Sequence, residues 1–207
     1  MFRSVSMKIF FLMLIFAVSL FSSTNEALQA YKNKQYTKAF SLYMQEAKKG
    51  DTSAQNAVSY LYFNGIGVQQ SKKDGVLWLK KAAKSGDDRA CLDLGMMYLT
   101  GVNIGKEYAQ ALKWLECASK KGNAEASYNL ALMYYNGDGV KQDIKKAAEL
   151  LEMAAKAGHK GAKKNVGRIY MQLLDFKKAK YWLSENVKEG DVEAATLLKE
   201  IEASKKD

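Results

Sequence analysis

Apolar positions in this chain keep helical spacing, and the pattern returns in register every 36 residues. Residues 123–158, NAEASYNLALMYYNGDGVKQDIKKAAELLEMAAKAG, read as two short amphipathic helices joined by a glycine-rich turn. Gly50, Gly86, Gly122 and Gly158 close successive copies of this unit, Tyr62, Tyr98, Tyr134 and Tyr170 hold one phase, and Ala54, Ala90, Ala126 and Ala162 another. A fixed period of this size is the signature of a solenoid, in which each hairpin buries the apolar face of the next. The pattern therefore predicts an all-α fold, an α-solenoid of paired antiparallel helices.

The second helix of each unit repeats as well. Leu42, Trp78, Trp114, Leu150 and Trp182 share one site, which reads as core, and Ala82, Ala118 and Ala154 follow four residues later, small enough for close helix packing. In the turns, the first glycine ends a helix in a left-handed conformation and the second lets backbones pass closely. Val68 and Val140 are expected to plug these turns into the core. In the middle unit Asn103 stands in place of the second glycine, and asparagine tolerates positive φ. Asp74 and Asp143 suit the first turn of a following helix, where the dipole favours an anion.

Three units, 51–86, 87–122 and 123–158, share the long turn. Residues 25–50 form a tighter N-terminal hairpin, with Asn25 as a candidate cap for its first helix. Residues 159–190 form a shorter repeat with YMQLLDFKKA at its turn, and 191–207 a C-terminal capping helix. At the start of the chain, Arg3 and Lys8 accompany an apolar run from Ile9 to Leu20, followed by Ser22, Ser23 and Thr24. That order of charge, apolar segment and small residues reads as a secretory signal peptide over residues 1–24, too short to span a bilayer. Translation starts at Met1 or at Met7. The expected location is periplasmic or secreted, with no stable membrane span after cleavage.

The 207 residues carry a net charge of +10, with 48% hydrophobic and 26% charged residues and no proline. Loss of residues 1–24 removes two cations and no acid, leaving +8. The surplus is lysine dispersed over many helices, with no basic block interleaved with aromatics, so nucleic acid is not an expected partner. Attraction to anionic envelope polymers is. His159 is the sole histidine, and at a helix start it reads as a cap or surface residue. One histidine and two cysteines leave a four-ligand zinc site without support, and no phosphate loop, HExxH or calcium-loop spacing occurs. No catalytic constellation, metal site or cofactor is expected.

The A…LG..Y..G.GV..D..KA..W..KAA..G pattern resembles the Sel1-like repeat family, a longer-turn relative of tetratricopeptide repeats. Ala126, Leu130, Tyr134, Gly137, Gly139, Val140, Asp143, Lys146, Ala147, Ala154, Ala155 and Gly158 carry it, and most of these sites recur 36 and 72 residues earlier. The resemblance is strong over 51–158, and the flanking hairpins 25–50 and 159–190 look tetratricopeptide-like. It implies a right-handed α-solenoid serving as a non-catalytic interaction or scaffold protein of the bacterial cell envelope that holds a peptide or protein in a concave groove. Carrying over the inner positions of tetratricopeptide repeats gives three rows: Asn56, Tyr60 and Phe63; Leu92, Met96 and Leu99; Tyr128, Leu132 and Tyr135. Lys164, Arg168 and Met171 follow as a basic end, suited to an acidic group on the ligand.

The layout is also similar to the exported cysteine-rich Sel1-like proteins, which implies as the alternative a β-lactam-binding protein or weak β-lactamase-like hydrolase. A serine β-lactamase needs a serine three residues before a lysine, with KTG and SDN elements; the chain beyond residue 24 has none of these. In those relatives a cysteine follows the anchor alanine, as Cys91 does here, but its usual partner lies three residues before the closing glycine, where this chain has Ser119 and Ala83. Cys117 lies two residues off, roughly 200° around a helix. Cys91 and Cys117 thus stand either as a disulfide or as two separate thiols.

Overall fold

In the computed structural model, residues 24–203 are described, and every regular element among them is a helix. These are α1 (24–32), α2 (Tyr36–Lys49), α3 (Thr52–Asn64), α4 (Lys72–Lys84), α5 (Asp88–Thr100), α6 (Tyr108–Ser119), α7 (Ala124–Asn136), α8 (Ile144–Lys156), α9 (Lys160–Gln172), α10 (Phe176–Lys188) and α11 (Val192–Ala203). Apart from Thr24, the expected leader lies outside the described residues. Thr24 already belongs to α1, so Asn25 sits inside that helix and is not its cap.

The 36-residue alanine marks the place where a helix cap is satisfied. Asp51, Asp87, Asn123, His159 and Asp191 each accept the backbone N–H of the residue three positions on, at 2.6, 2.6, 3.0, 3.0 and 3.1 Å. Those amides belong to Ala54, Ala90, Ala126, Ala162 and Ala194, all at most 1% exposed. A β-branched or larger side chain has no room where the first turn of one hairpin meets its neighbour. Ser71, Asp143 and Asp175 cap second helices in the same way. Asp143 is thus equivalent to Ser71, while Asp74 lies in the first turn and receives the Ser71 hydroxyl at 2.5 Å.

The closing glycines share one geometry. Gly50, Gly86, Gly122, Gly158 and Gly190 have φ between +86° and +99°, and the N–H of the residue after each donates to a carbonyl five residues before it. This is the Schellman arrangement, which satisfies carbonyls that the helix end leaves open. In the long turns Gly65, Gly101 and Gly137 end their helices left-handed, and Asn103 adopts φ +65° where its counterparts are Gly67 and Gly139 at +70°. Val68 and Val140 are half-buried and cover the turns without entering the core.

Two compact units divide the chain, residues 1–90 and 91–207. In the first, α2 packs on α3 and α3 on α4. Ala47, Ala54, Val58 and Trp78 form its centre, with Phe40, Tyr43, Met44 and Tyr62 against it. In the second, α6 to α11 pack each on the next, the connectivity of an α-solenoid. Its α5 meets α6 so closely at Gly95 that a Cβ there would lie 2.7 Å from Leu115 Cγ; Gly167 of α9 stands likewise 2.9 Å from Leu183 Cγ of α10. The tryptophan site is core in four of its five copies: Trp78, Trp114, Leu150 and Trp182 are 5–8% exposed, Leu42 in the N-terminal hairpin is half-buried, and Ala82, Ala118 and Ala154 are fully buried.

Candidate functional site

The first position of two of the three predicted inner rows, Asn56 and Tyr128, buttresses the next cap. Asn56 Nδ2 donates to Asp87 Oδ1 at 2.8 Å, the same oxygen that caps Ala90. Tyr128 stacks on the His159 ring, with centroids 4.1 Å apart and planes 21° from parallel. His159 Nδ1 accepts from Ala162 N–H at 3.0 Å and so caps α9, while Nε2, 3.1 Å from Glu125 Oε2, and the stack on Tyr128 hold α9 against α7. These contacts are structural, and a ligand would have to compete with them for Asn56 and Tyr128.

The other rows divide further. Phe63 presses on Gly75, where a Cβ would lie 2.8 Å from its Cδ1, so its ring fills the α3–α4 seam. Tyr60 is 53% exposed. Its hydroxyl bonds to that of Tyr31, a contact that raises the Tyr31 phenol above its ordinary value, and Tyr31 meets Tyr36 edge-on at 5.4 Å. Leu92, Met96 and Leu99 lie half-buried along α5.

Leu132, Tyr135 and Arg168 come together. With Ala131 they line a cleft of about 310 Å³ between α7 and α9, completed by Leu151, Asn165, Ile169 and Gln172. Its floor and one wall are apolar, and amide and guanidinium groups stand on the other wall. Arg168 does not present a free cation here. Its Nη2 lies 2.6 Å from Glu193 Oε2 and 3.9 Å from Asp191 Oδ2, and its Nη1 donates to the Lys164 carbonyl at 2.9 Å. Of the expected basic end, Arg168 is therefore pinned to the start of α11, and Lys164 is left exposed.

Arg168 of the α9 wall is among the predicted positions, but Asn165, Ile169 and Gln172 escaped the sequence reading because equivalent positions were taken from every helix. Facing walls use different faces: α7 supplies residues 131, 132 and 135, while α9 supplies 165, 168, 169 and 172. The usable signal was an offset of about a quarter turn between the two sets, with Leu132 and Arg168 at the same register position.

A second polar cluster joins α8, α9 and α10. Glu152 receives Tyr170 Oη, Lys178 Nζ at 3.0 Å and Lys156 Nζ at 2.7 Å. Burial pushes the Glu152 carboxyl up, but these three donors outweigh it and hold it at about 2. Burial, then the bond to Glu152, pushes the Tyr170 phenol up to about 12, and its bonds to Tyr170 and Glu152 raise Lys178. Glu152, Tyr170 and Lys178 therefore keep their charge states around neutral pH, which suits a structural clamp and not proton transfer. Among the described residues, no three His, Cys, Asp or Glu side chains cluster so as to hold a metal ion.

Cys91 of α5 and Cys117 of α6 form a disulfide, with Cα atoms 5.9 Å apart. Cys91 is fully buried. Ser119, at the site where the cysteine-rich relatives place a partner cysteine, hydrogen-bonds instead to Ser127 of α7 at 2.8 Å.

Two solved structures share this architecture. A Sel1 repeat protein from Oxalobacter formigenes is 27% identical with a TM-score of 0.67, covering 84% of this chain and 75% of that one. A protective antigen of uropathogenic Escherichia coli displaying an SLR fold is 26% identical with the same TM-score of 0.67, covering 86% of this chain and 40% of that one. No curated protein matches the chain. Residues 52–87, 88–123 and 124–159 each match the Sel1 repeat. These three consecutive matches span more than half of the sequence and coincide with the capped hairpins described above, and the chain belongs to the Sel1 repeat family.

Proposed function

We propose that this protein is a non-catalytic binding protein that takes a peptide or protein segment against its first helices, at the α7–α9 cleft above all. Sel1 repeat folds generally serve protein–protein interaction. The observation that carries the reading is the cleft itself: about 310 Å³, floored by Leu151 and walled by Leu132, Tyr135 and Ile169. That space takes one large apolar side chain, while Asn165 and Gln172 offer amides to the backbone of an extended ligand. A setting in the bacterial envelope is part of the proposal and rests on the charged, apolar and small-residue order of residues 1–24.

The test is selection of displayed peptides on the full chain, followed by affinity measurement with wild type and Leu132→Ser/Ile169→Ser. The expected result is a peptide with an apolar anchor whose affinity falls about tenfold or more in the double variant, the loss typical of a buried anchor. Equal affinity for both proteins, at unchanged helical content, overturns the cleft as the site.

A further inference from the structure

The two second helices of the first unit carry an unusual charge distribution. Together α2 and α4 hold eight lysines, no arginine and two acids. Both acids turn inward. Glu46 is 1% exposed and bonds to Lys49, and half-buried Asp74 is bonded to Ser71. Lys38 pairs with Glu26 of α1. Along α4, Lys73, Leu77, Lys80, Lys81 and Lys84 fall at i, i+4, i+7, i+8 and i+11, a single face of the helix. Val76, Leu79, Ala82 and Ala83 are buried on the opposite side. In the middle of the lysine face Leu77 is 49% exposed.

Repeat architecture does not call for this arrangement. The equivalent helix α6 has Lys113 as its one lysine, and the lysines of α8 alternate with Glu149 and Glu152. We propose that the lysine face of α4 docks on an anionic lipid surface, with its lysines at the headgroups and Leu77 in the interface. Two features favour a lipid surface over a polyanionic chain. The cations are all lysine, whose flexible stems and point charges suit a diffuse field of headgroups, whereas fixed phosphate geometry favours the fork of arginine. Leu77 gains nothing from a polyanion in water but gains area in a bilayer interface. This reading is independent of the α7–α9 cleft, and its failure leaves that proposal standing.

The test is flotation of the full chain with vesicles of equimolar phosphatidylglycerol and phosphatidylcholine, beside vesicles of phosphatidylcholine alone. The apolar run near the N-terminus is common to every variant, so only the difference between the two lipids is read. Wild type is expected to prefer the anionic vesicles and to lose that preference as salt rises. Lys73→Gln/Lys80→Gln/Lys84→Gln should lower partitioning about a hundredfold, at about fivefold per lysine. Lys145→Gln/Lys160→Gln/Lys177→Gln, which removes the same charge elsewhere, should lower it by no more than about fivefold. Leu77→Ser should cost a further loss of about fivefold that persists in salt. Equal losses from the two triple variants, or equal partitioning of wild type into both vesicles, overturn the proposal. So does retention on polyphosphate without flotation, which would assign the face to a polymer.

Discussion

At single positions, the same residue type is required for two different physical reasons. A Cβ added to Gly122 meets nothing within 4 Å, so alanine there is opposed only by the φ of +86°. Gly67 at φ +70° is also held against the Tyr36 carbonyl, which a Cβ would approach to 2.2 Å. Gly122→Ala should therefore lower stability by about 1 kcal/mol, and Gly67→Ala by more, about 2–4 kcal/mol, because the α2 backbone must shift as well. Thermal or urea unfolding of the two variants measures the difference, and equal losses would remove the close approach as its cause. Glu152 offers a test in pH. Its folded carboxyl lies at about 2, below the unfolded value near 4.3, so its contribution is complete above about pH 4.5 and disappears as the pH falls through about 2. Glu152→Gln should be less stable than wild type by about 1–3 kcal/mol at neutral pH, with the gap closing towards pH 2. A gap that stays constant across that range would mean that the ion pairs to Lys156 and Lys178 contribute nothing.

Whole elements were legible from the sequence wherever local chemistry sets them. The glycine, alanine and tyrosine phases foresaw hairpins that close at Gly50, Gly86, Gly122 and Gly158, and the caps at Asp51, Asp87, Asn123 and His159 explain why the alanines recur three residues later. Features that depend on which side of a helix meets which neighbour were not legible. The offset of Cys117 by two residues from the usual site is one such case. Around α6 it amounts to roughly 200°, and this turns residue 119 towards α7, where Ser119 meets Ser127, and residue 117 back towards α5, where it meets Cys91. The offset chose a different partner and did not leave two free thiols. Arg168 shows the same limit. Its place on the inner side of α9 was readable, but Glu193, 25 positions later, is close only because α11 packs on α10.

In the second unit, a stack in which each helix touches the next should respond to damage locally. The disulfide between Cys91 and Cys117 closes a loop of 26 residues around the turn before α6, a helix whose N-cap, Glu107, makes no side-chain cap bond. The chain entropy removed by such a loop corresponds to about 3 kcal/mol. Replacing Cys117 with serine should therefore open α5 and α6 to hydrogen exchange by up to this amount. Helices α9 to α11 of the same unit are tied instead by the Glu152 cluster and the Arg168–Glu193 pair, and they should keep most of their protection. Amide exchange on wild type and Cys117→Ser, resolved helix by helix, reads this directly. A uniform loss of protection from α5 to α11 would mean that the second unit unfolds as one cooperative block, and the nearest-neighbour account of its stability would have to be abandoned.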